Sequence, residues 1–173
     1  MCDAAITTQG HCYGFDYWHS GNPSDTGYQE FYCGREVVEQ KLQNYNNFTL
    51  YEMNTHTQEF KDIIKSIAPI DFAFIDANHS YDGVSNDFYA IEPFLSSNAI
   101  VVFHDTRSHY GPRKFVLHLR ENFSNRYDIL DLPFGTASRW GITVLSKRNK
   151  SNFNLEFGTD GSDIYPKEKL YEQ

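Results

Sequence analysis

The chain has no basic excess, few cysteines and no long apolar run, and each shortage excludes something. Fifteen lysines and arginines stand against 23 aspartates and glutamates, a formal net charge of −8. A nucleic acid or an anionic membrane would need a basic face, so neither is expected as a partner. Three cysteines, Cys2, Cys12 and Cys33, are an odd number without metal-finger spacing, which argues against a disulfide scaffold and a zinc finger. The absence of an apolar leader and of a membrane-length segment makes a reducing, cytoplasmic setting the expectation. No repeat or low-complexity block is present. Tyrosine and phenylalanine are abundant, but without clustered lysine and arginine they read as packing. At 173 residues the chain is the size of one domain.

The richest stretch runs from Ile70 to Thr106. Ile70-Asp71-Phe72-Ala73-Phe74-Ile75 is short and almost wholly apolar, as a strand buried on both faces should be, and it stops at Asp76. Val84, Phe88, Ile91 and Leu95 then recur at helical spacing from near Ser80 until Ser96-Ser97-Asn98 breaks the pattern. A second apolar run, Ala99 to Phe103, stops at His104-Asp105. Strand, helix and strand in this order form a right-handed βαβ unit. Asp76 and His104-Asp105 then share the carboxyl edge of a parallel sheet, where α/β folds bind ligands.

Elsewhere, Gly10 to Phe15 reads as a strand ending at Asp16, followed by a loop over His19 to Gln29 and a helix from Glu30 to about Tyr45 carrying Val37, Val38 and Leu42. Phe48 to Met53 reads as a strand ending at Asn54-Thr55. The next helix has Phe60, Ile63, Ile64 and Ile67 on one face, with Thr55 and Gln58 placed for a capping box. Pro112 suits the first turn of a helix carrying Phe115, Val116 and Leu119. Tyr127 to Leu130 and Gly141 to Leu145 read as closing strands with an antiparallel finish. The segment 148–173 is polar and reads as a tail outside a domain of residues 1–147.

With Asp16, Asn54-Thr55, Asp76-Ala77-Asn78-His79-Ser80-Tyr81 and His104-Asp105 in order at strand ends, the chain resembles the class I S-adenosylmethionine-dependent methyltransferases. It is most similar to the branch marked by D-x-x-H-x-Y and a later H-D pair, which includes sugar and macrolide O-methyltransferases. The resemblance spans about Gly10 to Lys147. It implies an α/β, Rossmann-like three-layer sandwich with a mostly parallel sheet and an antiparallel closing strand. It also implies a departure. The family opens with a strand and a glycine-rich turn, and in dinucleotide folds that turn lies about 20 residues before the ribose-binding acid. Only fifteen residues precede Asp16, so the first strand and its glycine loop are expected to be missing, leaving two unpaired strand edges in mid-sheet.

The resemblance assigns Asp16 to the ribose hydroxyls, since a carboxylate can accept from two vicinal hydroxyls. Tyr17 and Trp18 would pack beside it, and Asn54, Thr55 and Asp76 would complete the cofactor contacts. Plainer readings stand beside these: Asp16 as a strand cap, Trp18 as core, Thr55 as a helix cap. Asp76, His104 and Asp105 form the expected site of a divalent metal, magnesium or manganese, although imidazole suits zinc, iron or manganese better than magnesium. His79 is the expected general base; its plainer readings are a loop histidine hydrogen-bonded to Asp82 or a further ligand of the same metal, as that of His104 is a strand cap or a hydrogen-bond partner of Asp76. Arg107, His109 and Tyr110 are placed to line an acceptor pocket; His11, His19, His56 and His118 show no ligand spacing.

Two functions follow. One is transfer of a methyl group from S-adenosylmethionine to an oxygen of a small molecule or sugar. The other is a truncated, inactive methyltransferase-like module that binds a partner or forms an oligomer through its open sheet.

Overall fold

A computed structural model describes residues 2–18, 34–132 and 140–148. The expected loop after His19, the first residues of the helix expected from Glu30, and the tail beyond Arg148 lie outside the described residues.

The elements run α1 (Cys2–Thr7), β1 (Cys12–Asp16), α2 (Arg35–Leu42), β2 (Phe48–Glu52), α3 (Gln58–Ile67), β3 (Ile70–Ile75), α4 (Tyr81–Ile91), a 3-10 turn (Glu92–Phe94), β4 (Leu95–His104), α5 (Tyr110–Phe123), β5 (Tyr127–Leu132) and β6 (Ile142–Lys147). β1 and β2 form a parallel pair. β3, β4, β6 and β5, in that order, form a second sheet in which β3 and β4 are parallel and β6 runs antiparallel to both neighbours. This is the expected Rossmann-like α/β arrangement with an antiparallel closing strand. Among the described residues no strand joins the two sheets.

The core lies where α3, α4 and α5 cover one face. Phe88, in the middle of α4, is fully buried, with its ring centroid 5.7 Å from Phe103, 5.6 Å from Phe115 and 5.8 Å from Tyr127. The apolar face anticipated for α4 is thus buried at Val84, Phe88 and Ile91, and Phe115, Val116 and Leu119 of α5 meet it. Phe60 and Ile64 of α3 join the same cluster. Such burial contributes roughly 1.5–3 kcal/mol per large apolar side chain.

Several boundaries differ from the sequence reading. The α4 helix ends at Ile91, because Pro93 tightens the chain into a 3-10 turn, and Leu95 is the first residue of β4 rather than the last of the helix. The α2 helix ends at Leu42 rather than near Tyr45, where the Tyr45 amide closes a turn on the Leu42 carbonyl at 2.8 Å. Thr57, not Thr55, caps α3: its hydroxyl accepts from the Phe60 amide at 3.2 Å. β3 is not buried on both faces. Phe72 and Phe74 remain 48 % and 44 % exposed, because only the face carrying Ala73 and Ile75 lies against the core and no described element covers the other. No helix among the described residues is long and apolar enough to cross a membrane.

Candidate active site

β3 and β4 are adjacent and parallel, so the residues that follow them meet at one edge. Beyond β3 the chain turns sharply. The Ser80 amide donates to Asn78 Oδ1 at 2.8 Å, and Ser80 Oγ accepts from the Gly83 amide at 2.9 Å to start α4. That turn holds His79. Beyond β4, Asp105 adopts a left-handed backbone with φ 58° and is 3 % exposed. Aspartate tolerates this region better than most residues. The bend carries the chain into α5 and aims the Asp105 carboxylate back between the two strand ends.

The result is a cluster built around that one carboxylate. Asp105 Oδ2 is 3.0 Å from His79 Nε2 and 3.4 Å from His109 Nδ1. Asp105 Oδ1 is 3.2 Å from His104 Nδ1 and accepts from Ser108 Oγ at 3.1 Å. Asp76 Oδ1 is 3.3 Å from the same His104 nitrogen and 3.4 Å from His79 Nε2. The His79 and His109 rings stack with centroids 4.1 Å apart. All three residues expected at a metal, Asp76, His104 and Asp105, are therefore brought together with the expected base, His79. His109, expected only in an acceptor pocket, joins them. The signal available for it was its position one helical turn after Asp105.

The donor set suits a divalent cation. His104 Nδ1 is buried and makes no hydrogen bond, although two carboxylate oxygens lie within 3.3 Å of it. Three donors converging without bonding one another is what ligands facing a common ion look like. Separations near 3.2 Å are those of ligands about 2.1 Å from one centre at roughly right angles or slightly wider. Potential metal donors fall into two triads sharing Asp105: Asp76 with His104, and His79 with His109.

A family model described as a methyltransferase domain matches residues 1–106, most of the chain and both strand ends of this cluster. The chain belongs to the methyltransferase-domain family. No curated protein matches it in sequence. Among solved structures it is similar to a protein of Klebsiella pneumoniae assigned as an O-methyltransferase (13 % identity, TM-score 0.58, covering 86 % of this chain and 78 % of that one). It is also similar to a protein of Streptococcus mutans assigned as a methyltransferase and solved with S-adenosylhomocysteine (16 %, 0.55, 84 % and 82 %). A third likeness is to MycE methyltransferase of the mycinamycin biosynthetic pathway, solved with magnesium and S-adenosylhomocysteine (12 %, 0.50, 88 % and 48 %). At these identities the likeness shows a shared fold.

The other residues expected at a methyltransferase cofactor site stand apart from the cluster, on β1 and after β2. Asp16 ends β1, exposed, with Oδ1 accepting from the Trp18 amide at 2.8 Å. Tyr17 is exposed and Trp18 half-buried with φ 43°. Asn54 is engaged in its own turn, its Oδ1 accepting from the His56 amide at 2.9 Å. Thr55 donates to Asp87 Oδ1 at 2.6 Å, and His56 Nε2 lies 3.6 Å from the same atom. Asp87, mid-way along α4, is a residue that sequence reasoning missed. Burial pushes its carboxyl pKa up, against the lowering effects of Thr55 and His56.

Exposed aromatic side chains flank the cluster. The Trp140 ring lies nearly parallel to His104 with centroids 6.3 Å apart and is 57 % exposed; Tyr110, at the start of α5, is 76 % exposed. The Arg107 amide donates to the Trp140 carbonyl at 3.1 Å, and the Thr106 amide to that of Gly141 at 3.3 Å. These bonds fix Trp140 beside the β4 end. A separate hollow of about 520 Å³, lined by Arg120, Tyr127, Asp128, Leu130, Val144 and Arg148 among others, holds none of these residues.

Proposed function

We propose that this chain transfers a methyl group from S-adenosylmethionine to a hydroxyl oxygen of a small molecule or glycosyl acceptor. The observation that carries the reading is the convergence of His79, Asp76, His104 and Asp105 at the ends of two adjacent parallel strands. The methyltransferase-domain match and the S-adenosylhomocysteine in two related structures support the donor.

Bound S-adenosylmethionine would supply a methyl carbon on a positively charged sulfur that leaves as a neutral thioether. Asp16 would accept from its ribose hydroxyls, with Tyr17, Trp18, Asn54, Thr55 and Asp76 around it. His79 Nε2 hydrogen-bonds Asp76 Oδ1 at 3.4 Å, with Asp105 Oδ2 3.0 Å away; a ring that donates from Nε2 to these carboxylates would present Nδ1 as its basic nitrogen. His79 then takes the acceptor's proton as the oxygen forms its bond to the methyl carbon. Asp76, His104 and Asp105 would hold a divalent ion, manganese or magnesium, whose charge would lower the pKa of the acceptor hydroxyl. Exposed Trp140 and Tyr110 beside the cluster, on a chain of net charge −8, suit a small or glycosylated acceptor better than a polyanion.

The test is transfer of label from methyl-labelled S-adenosylmethionine to a panel of polyhydroxylated acceptors, with manganese and with a chelator. Label on an acceptor oxygen, lost in His79→Gln with cofactor binding intact, is the expected result. Cofactor bound without transfer to any acceptor would leave the second reading, a non-catalytic module.

A further inference from the structure

Two bare strand edges face each other in the middle of this fold. Among the described residues β1 pairs only with β2, and β3 only with β4. On its way from β2 to β3, α3 passes over β1, with the Phe60 ring 5.0 Å from Phe15. β1 is therefore on the inner side of its pair, and its free edge is turned toward the free edge of β3. The charges lie at the ends of these strands, Asp71 near the start of β3 and Asp16 at the end of β1; between them Phe72-Ala73-Phe74-Ile75 offers no charge and no proline, and Tyr13, Phe72 and Phe74 are left exposed. An open row runs on across the sheet in register from Phe74 through Val102 and Val144 to Leu130.

The chain leaves the described fold at the right place to fill this gap. Because β6 is antiparallel to β4, with Ile142 opposite His104 and Ser146 opposite Ile100, it delivers the chain to the amino edge of the sheet. Lys147 Nζ donates to the Leu95 carbonyl at 3.0 Å and the Arg148 amide to that of Arg126 at 2.8 Å, which fixes the exit. From β6 to the gap is three strand spacings, about 14 Å. The five steps from Arg148 to Phe153 reach about 17 Å when extended. There the sequence reads Asn152-Phe153-Asn154-Leu155-Glu156-Phe157, a strict polar and apolar alternation, and then Gly158-Thr159-Asp160-Gly161. Alternation of period two bounded by glycines is a strand signal.

We propose that residues 152–157 of this chain enter the gap as a strand parallel to β3, pairing with both β1 and β3 and joining the two sheets into one. A strand entered at the amino edge ends at the carboxyl edge. Gly158 to Gly161 then turns between Asp16 and Asp76, where only residues without bulk let the backbone pass close to a ligand. The inference stands on the edges, the exit and the alternation, and does not depend on methyl transfer.

Hydrogen exchange of the full chain tests it. Amides of 70–75 and 12–16 are expected to exchange at least tenfold slower than free edges, in a sample that sedimentation shows to be monomeric, and Leu155→Pro is expected to abolish that protection while α5 and β5 keep theirs. In case Leu155→Pro unfolds the whole chain, benzoylphenylalanine at position 155 gives a second readout, with photo-adducts expected on residues 12–16 or 70–75 of the same molecule. Unprotected edges in the wild type, protection that survives Leu155→Pro, protection found only in a dimer, or adducts elsewhere would each overturn it. The dimer outcome would mean that a second copy fills the gap.

Discussion

His79 Nε2 stands 3.0 Å from Asp105 Oδ2, while the other oxygen of that buried aspartate stands 3.2 Å from His104 Nδ1. One carboxylate thus orients the proposed base and contributes to the proposed metal set. Asp105→Asn is expected to keep the fold, since asparagine also tolerates the left-handed backbone at φ 58°, and to shift the melting temperature by no more than a few degrees. Manganese affinity should fall by about 10- to 100-fold. Thermal melts beside manganese titrations check both halves, and unchanged manganese affinity would remove Asp105 from the ion site.

His79 is set apart from binding by its role. His79→Gln is expected to lower turnover by roughly 10²- to 10⁴-fold, the usual contribution of a general base, while S-adenosylhomocysteine affinity changes little. Turnover and binding measured on one preparation decide this. A variant that binds poorly and turns over normally would invert the assignment.

Gly111 couples the first turn of α5 to the His79 loop. A Cβ there would overlap the backbone of His79, Ser80 and Tyr81, which cannot swing aside as a side chain could. Gly111→Ala is expected to destabilise the fold by about 1–3 kcal/mol and to displace His79 from Asp105. Urea denaturation gives the first quantity. An alanine variant as stable as the wild type would mean that α5 and this loop are less tightly apposed.

Asp87 makes stability depend on pH. Its carboxyl pKa is raised by burial, so below the carboxylate range both folded and unfolded chains hold the proton and there is no cost. As pH rises, the unfolded chain ionises first, and the cost of burying the charge grows until the folded pKa is passed. Asp87→Asn keeps an acceptor for Thr55 and is expected to gain stability of the order of 1 kcal/mol at pH 7, and little at pH 3. Denaturation midpoints at the two pH values check the sign; a larger gain at pH 3 would contradict it.

The sequence carried the βαβ unit well because Phe72 to Ile75 and Ala99 to Phe103 are unbroken apolar runs, and Val84, Phe88 and Ile91 can share a face only on a helix. The Asp76, His104 and Asp105 convergence followed from the parallel pairing of β3 and β4. Other features depended on contacts between distant segments. Thr55 was the expected cap of α3, but its hydroxyl is taken by Asp87 of α4, and Thr57 caps the helix instead. Asp87 is covered by the turn after β2, through Thr55 and His56, and nothing local in the sequence marks that contact. His109 reaches the cluster because Asp105 bends the chain left-handed; its spacing from Asp105 hinted at the contact, but the bend itself left no mark in the sequence. The exposure of Phe72 and Phe74 comes from which face of the sheet the helices cover, a property of the assembled fold.

The central claim is that this chain holds S-adenosylmethionine at the carboxyl ends of its strands. Calorimetric titration of S-adenosylmethionine into the full chain, and into Asp16→Asn, with and without manganese, tests it most directly. Micromolar binding by the wild type, weakened at least tenfold in Asp16→Asn, is the expected result. A folded wild-type sample that binds no S-adenosylmethionine under either condition would contradict it.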